Sequence, residues 1–144
     1  TMTSLRFATA VHIMVLLAHG KADSAGRAAP SRELASSIGA NAVVVRRIMA
    51  SLSEAGLIHT RSGAQGGAWL ARSPGKIRMS EIYAAVEDAP SHGSRPQGNK
   101  DCPVGRAAPG IICGLVRSID EAARTSLSKT TLAQLVKTVE AAVA

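Results

Sequence analysis

Aromatic rings are scarce in this sequence: Phe7, Trp69 and Tyr83 are the whole complement in 144 residues. Binding a single strand by successive base stacking needs a row of such platforms, so single-stranded nucleic acid is a poor match for the chain. Cysteine is equally sparse. Cys102 and Cys113 are separated by ten residues, which is neither a C-x-x-C redox pair nor the spacing of a zinc knuckle. Two thiols in a cytosolic chain are not expected to form a permanent structural staple. The longest apolar stretch, Phe7 to Ala18, contains His12 and falls short of the roughly 18 residues that a membrane-spanning helix needs. No small-residue cleavage site follows it, so the expected location is the cytoplasm, without a membrane partner. Thr1 ahead of Met2 reads as a cloning or processing remnant, with the native start expected at Met2. Catalytic constellations are missing too. The acidic residues fall singly or on helix faces opposite apolar stripes, and there is no Ser-His-Asp order or metal-type cluster, so no enzyme is expected.

What the chain has in excess is positive charge. Seventeen Lys and Arg against ten Asp and Glu give a formal +7 and a pI near 10.3. In so small a chain that excess attracts a polyanion at low salt. Total charge does not separate a nucleic-acid surface from a merely solvated basic one; the positions of the charges have to. The length suits one compact core plus an arm.

Apolar residues at Leu5, Ala8, His12, Val15 and Leu16, and a second stripe at Phe7, Val11, Met14 and Ala18, give helical spacing over Ser4 to His19. A helix apolar on most sides is expected to lie between layers, with His12 as a satisfied core histidine. Gly20 ends it, and Ala22 to Pro30 reads as a loop of small residues. Ser31 is placed to cap a short helix carrying Leu34, Ala35 and Ile38, which stops at Gly39. After the turn Gly39-Ala40-Asn41 a second helix runs to about Ala55. It turns Val45, Ile48, Met49 and Leu52 inward, and Val43, Arg46, Arg47 and Ala50 outward. Two helices joined by a three-residue turn, the second bearing an outward Arg pair, make a helix-turn-helix whose second helix enters a major groove.

Leu57 to Arg61 has strand character, Ser62 to Gly67 is a turn, and Ala68 to Ala71 is a return strand. This Gly-rich tip has no Lys-Ser/Thr pair at its end and no helix after it, so it is not a phosphate-binding P-loop. A hairpin directly after a recognition helix is a wing, with Arg61 placed for a minor groove or a phosphate. Ser80 is placed to cap a further helix through Glu87. Composition then shifts to Pro, Gly, Ser, Asn and charge between Ala89 and Gly110. Past it, Ile112, Leu115, Val116, Ile119, Ala123 and Leu127 form the apolar side of a long helix, and Leu132, Leu135, Val136 and Val139 that of a last one from about Thr131. An amphipathic arm outside the core has to bury its stripe, and a symmetric partner is the economical solution.

The expected fold is therefore mainly α with a small β-hairpin wing: a winged helix-turn-helix over 2–88, a flexible sensory or linker loop over 89–110 and a helical dimerisation arm over 111–144. The residues expected on DNA are Ser31 and Asn41 at the helix starts, Val43, Arg46 and Arg47 on the recognition helix, and Arg61 and Gln65 on the wing. Arg is the commonest specific partner of guanine, through O6 and N7. The expected function is sequence-specific regulation of transcription, as a repressor acting as a homodimer on a palindromic operator in double-stranded DNA. The alternative is a winged-helix adaptor that uses the same face on a protein. At the ends of the 89–110 loop, Lys100 beside Cys102 and a helix start near Cys113 both favour thiolate. A reversible disulfide, an iron–sulfur site or no sensory role all remain open.

These residues resemble the Rrf-type winged-helix family of bacterial regulators, the family of IscR, NsrR and CymR, over nearly the whole chain. The resemblance rests on Leu34-Ala35, Val44-Val45-Arg46-Arg47-Ile48, Leu52, Glu54-Ala55-Gly56-Leu57 and Gly66-Gly67-Ala68-Trp69-Leu70-Ala71. It continues through Glu81-Ile82 and Ala85-Val86-Glu87 to Thr131-Leu132-Ala133-Gln134-Leu135. It implies a winged-helix dimer with crossing C-terminal helices, and puts the reading positions near Val43, Arg46, Arg47 and Arg61. Cluster-binding members of that family carry three closely spaced cysteines before the long helix, where this chain has Cys102 and Cys113. The resemblance also implies a variant in which His12 of the partner subunit completes a two-cysteine site, but the motifs are nearer to the branch without an assigned cofactor.

Overall fold

The computed structural model describes residues 2–64, 66–87 and 97–144. Six helices and one hairpin follow in order: α1 Met2–His19, α2 Ser31–Ile38, α3 Ala42–Glu54, β1 Ile58–Arg61, β2 Gly67–Leu70, α4 Met79–Glu87, α5 Pro103–Leu127 and α6 Leu132–Val143. Among the described residues no helix is long and apolar enough to cross a membrane.

Helix α1 is the central strut, in contact with α2, α3, α4, α6 and β2. Ala10, Ile13, Met14 and Leu17 are fully buried on that side. Its apolar character does not extend to burial all round: Leu5, Ala8 and His12 are exposed. His12 is thus a surface residue, because the neighbouring helices cover one flank of α1 and leave the opposite one open.

Helix α2 begins at Ser31, which occupies the first helical turn; the cap position is Pro30, and no side chain caps the end. Proline suits a helix start, where its fixed φ is already close to helical. The turn after α2 depends on Gly39 at φ +75°, a left-handed conformation that costs glycine little. Its N–H reaches the Ala35 carbonyl at 2.9 Å, and that of Ala40 reaches the same oxygen at 3.0 Å. Asn41 then caps α3, its Oδ1 accepting from the Val43 N–H at 2.7 Å. The four inward residues of α3, Val45, Ile48, Met49 and Leu52, are all buried, as the 3.6-residue period dictates.

β1 and β2 pair antiparallel in the register Ile58↔Leu70 to Arg61↔Gly67. The outer edge of β2 is not left open. Ala29, in the segment before α2, exchanges two backbone hydrogen bonds with Ala68, each 2.9 Å, and Leu70 N–H donates to the Ala22 carbonyl at 2.8 Å. At Gly67, φ is +147° and a Cβ would run into the Ala29 carbonyl, so only glycine allows this close approach.

The C-terminal region departs from the sequence reading in three ways. Helix α4 starts at Met79, so Ser80 lies inside it rather than capping it. The end is held by the Met79 N–H on the Thr130 carbonyl (2.9 Å) and by the Arg78 N–H on Glu81 Oε2 (2.8 Å). Second, 103–110 are the opening turns of α5 rather than loop, with Pro103 at a favoured first position and Cys102 as the cap. Third, α6 does not extend the arm. A Thr131–Gln134 capping box starts it, the Leu132 N–H donates to the Ile77 carbonyl at 2.8 Å, and Leu132 and Val136 bury themselves in the core that contains α1. Helix α5 packs on α4 and sends Leu127 against the core, yet none of its 25 residues is fully covered.

Candidate nucleic-acid interface

An open cleft of about 690 Å³ runs between the start of α2, the outer side of α3 and the wing. Ser31 and Arg32 line it from α2, Arg46 and Ala50 from α3, and Thr60, Arg61, Gly63, Ala64, Gly66 and Gly67 from the wing. No acidic residue is among its described lining residues. The helix-turn-helix creates this arrangement: burying Val45, Ile48, Met49 and Leu52 forces Val43, Arg46, Arg47 and Ala50 outward, and all four are exposed. Arg46 is partly ordered by its own helix, its Nε donating to the Ala42 carbonyl at 3.3 Å.

The wing cation is positioned by residues that the sequence reading did not single out. The Arg61 guanidinium lies 5.9 Å from the Trp69 ring centroid, and its Nη2 donates to the Ala25 carbonyl at 3.3 Å. His59, directly across the ladder from Trp69, packs against the same indole with ring centroids 5.6 Å apart. A guanidinium over an indole keeps its full charge while losing rotamer freedom. Alternation along β1 was the available signal, since His59 and Arg61 must share a face. Arg32 was also missed; its signal was its place in the first turn of α2, the helix that precedes α3.

Of the sequence-predicted residues, the structure brings Ser31, Arg46 and Arg61 to one cleft, with Val43 and Arg47 on the exposed face of α3 beside it. Asn41 is occupied in capping α3. Gln65 lies outside the described residues.

Cys102, Cys113 and His12 belong to other elements, and the proposed pairing of the two thiols fails. Both lie on the continuous backbone of α5, Cys102 as its cap and Cys113 well inside. Eleven residues of helical rise separate their Cα atoms by roughly 16 Å, whereas a disulfide needs less than about 7 Å. The same separation prevents the two thiolates of one chain from serving one iron–sulfur cluster. Among the described residues no group of three His, Cys, Asp or Glu side chains is placed to hold a metal. It is Cys102, not Cys113, that has the helix N-terminus, its Sγ accepting from the Gly105 N–H at 3.4 Å.

Behind the cleft, two polar junctions link the segment between β2 and α4 to α4 and to the end of α5. Arg72, just past β2, reaches Glu81 of α4 at 3.0 Å, while Arg78 donates to the Ser128 carbonyl at the end of α5 at 2.8 Å. Burial pushes the Glu81 carboxyl up, but the Arg78 N–H and the Arg72 guanidinium outweigh it and hold the group below the usual carboxylate range. Farther along α4, Tyr83 meets Phe7 of α1 edge to face at 5.6 Å and lies under Arg124 of α5 at 5.6 Å. Arg124 bonds Asp120 at 2.8 Å and lowers that carboxyl. Burial, together with the hydrogen bond to Asp120, raises the Tyr83 phenol.

The family model described as "Rrf2: Iron-dependent Transcriptional regulator" matches residues 3–138. The chain is 29% identical over 132 residues to the YwnA protein of Bacillus subtilis (strain 168), named as an inferred HTH-type transcriptional regulator, covering 91% of this chain and 94% of that one. Among solved structures it superposes on a transcriptional-regulator fold from Lactobacillus plantarum with a TM-score of 0.70 at 24% identity, covering 94% of this chain and 90% of the other. It also superposes on T. potens IscR with a TM-score of 0.65 at 22% identity, covering 95% and 87%.

Proposed function

The chain belongs to the Rrf2 family of transcriptional regulators, and from that premise we propose that it is a cytoplasmic, non-catalytic homodimeric repressor of a palindromic operator. DNA binding and regulation of transcription come with the family. The symmetry, the operator geometry and the residues are the proposed part. The observation that carries it is the presence, in one chain, of a basic cleft and an exposed apolar row on α5. Ile111, Leu115 and Ile119 recur every four residues on α5 and are 68%, 63% and 70% exposed. Such a row is suited to burial against a second copy of itself, and a twofold axis through it would give the dimer two identical clefts.

In this reading the two α3 helices enter successive major grooves. Arg46 and Arg47 are aimed at guanine edges, Arg32 and Ser31 at the flanking phosphates, and Arg61 at the adjacent minor groove. A change in how α5 pairs reaches the wing through Tyr83–Asp120–Arg124 and through Arg78 and Arg72 on Glu81. The exposed Cys102 at the α5 cap is the place where thiol chemistry acts on that pairing. Iron enters no step, because the cysteines of one chain do not form a cluster donor set.

Sedimentation of the full chain alone and with a duplex enriched from a random library tests the proposal. A dimer that binds one duplex, with affinity falling steeply as salt rises because neutralised phosphates release counterions, supports it. A monomer, or a dimer that enriches no duplex, refutes it and favours a protein partner on the same face.

A further inference from the structure

Val43 is the anomaly of the recognition face. It lies in the first turn of α3 and is 48% exposed, although a bare isopropyl group is attracted neither to phosphate nor to water. At about 100° per residue, Val43 stands opposite the buried Val45, Ile48, Met49 and Leu52. Arg47 lies one turn on and Ala50 two turns on along the same side. Val44 is also exposed, at 44%, but it sits on the flank of the helix beside Ser51. Val43 is also a stiff probe. The Asn41 cap holds its backbone N–H at 2.7 Å, and a β-branched side chain in a helix keeps to one dominant rotamer. The apolar feature that a B-form major groove offers at this place is the C5 methyl of thymine.

We infer that Val43 is a specificity residue that reads thymine, its methyls packing on the thymine C5 methyl in each half of the operator. The inference rests on the reading of α3 as a major-groove helix. It also sets a spacing. Side chains three or four residues apart on a helix are about 5–6 Å apart, and stacked bases rise about 3.4 Å. The thymine therefore lies within about two base pairs of the guanine taken by Arg46 or Arg47.

Replacing single thymines of a selected operator by deoxyuridine removes the methyl and leaves every hydrogen-bonding group. Full-length protein should lose about fourfold in affinity when the thymine of one half-site is replaced, and about fifteenfold when those of both half-sites are. Val43→Ala should lose a similar factor on the thymine operator and become indifferent to deoxyuridine, whereas Val44→Ala should keep the full penalty. Val43 is exposed, so its truncation leaves the core intact, and circular dichroism of the variant checks this. An operator that is bound tightly by wild type but is blind to every methyl overturns this inference alone. So does a Val43→Ala variant that retains the penalty. A selection that enriches no sequence overturns the operator reading and this inference with it.

Discussion

Helices α3 and α5 are both amphipathic, yet they use their apolar sides in opposite ways. In α3 the apolar side is consumed within the chain, with Leu52 and Val45 fully buried, so the side left over is the one that carries arginine. In α5 nothing is buried, and the side left over is itself apolar, with Leu115 63% exposed. One helix is therefore finished by its own fold and offers a charged surface to an anion. The other keeps an exposed apolar row, the surface that a second copy covers in the proposed homodimer. The same pattern in sequence has two destinies, decided by what else the chain brings alongside it.

That contrast can be broken by measurement, starting where the effect is largest. Leu52→Ala in α3 should cost about 2–5 kcal/mol of unfolding free energy, by lost transfer and a residual cavity, measured by urea denaturation. A loss below about 1 kcal/mol would show that the helix is not anchored as described. Leu115→Ala in α5 should leave that free energy within about 0.5 kcal/mol when measured on monomer, since the residue is exposed. It should instead weaken self-association by about 1.5–3 kcal/mol, read by sedimentation across a dilution series. Unchanged association would detach α5 from the interface.

Arg46→Ala should lose about 1–3 kcal/mol on the selected operator and relax base preference at one position. Equal losses on selected and random duplexes would make Arg46 a phosphate contact only. The smallest effect concerns Glu81, whose carboxyl is held below its usual range. Its stabilisation is present above the unfolded pKa, about 4.3, and is lost as pH falls through the lower folded value. The Arg72–Glu81 pair is more than a third exposed, so solvent screening leaves less than about 1 kcal/mol. Glu81→Gln should flatten the acid limb of the stability curve by that small amount and leave neutral-pH DNA affinity unchanged. A variant with the wild-type acid limb would remove the junction from the pH dependence.

The helix-turn-helix and the wing were legible because local rules govern them. Three positions in α3 decide the matter: Val45, Ile48 and Leu52 fall on one stripe whatever packs against them, and Arg46 is then exposed by periodicity alone. Gly39 and Gly56, both at φ +75°, mark the ends of their helices in sequence as in structure. The remainder was not legible, because it depends on contacts between residues far apart in the chain. His12 sits on an apolar-looking helix and still faces outward, a consequence of which neighbours arrive. Leu132 and Val136 have the same spacing as the α5 residues, but the backbone pairing of 77–79 with 130–132 draws α6 into the core. The separation of Cys102 and Cys113 turned on whether Pro103 opened a helix or lay in a loop. Composition favoured the loop, and the cap at Cys102 decided for the helix.

The amino-acid sequence by itself determined most of the elements, the inward faces of α2 and α3 and the placing of arginine on the exposed face of α3, since helical period, glycine turns and chain-adjacent capping act within a few residues. Tertiary structure alone decided that α6 closes the core while α5 keeps an exposed apolar row, that Trp69 and Ala25 hold Arg61, and that the two thiols stand apart. Each of these depends on surfaces meeting across long stretches of chain, and nothing in local spacing encodes that meeting.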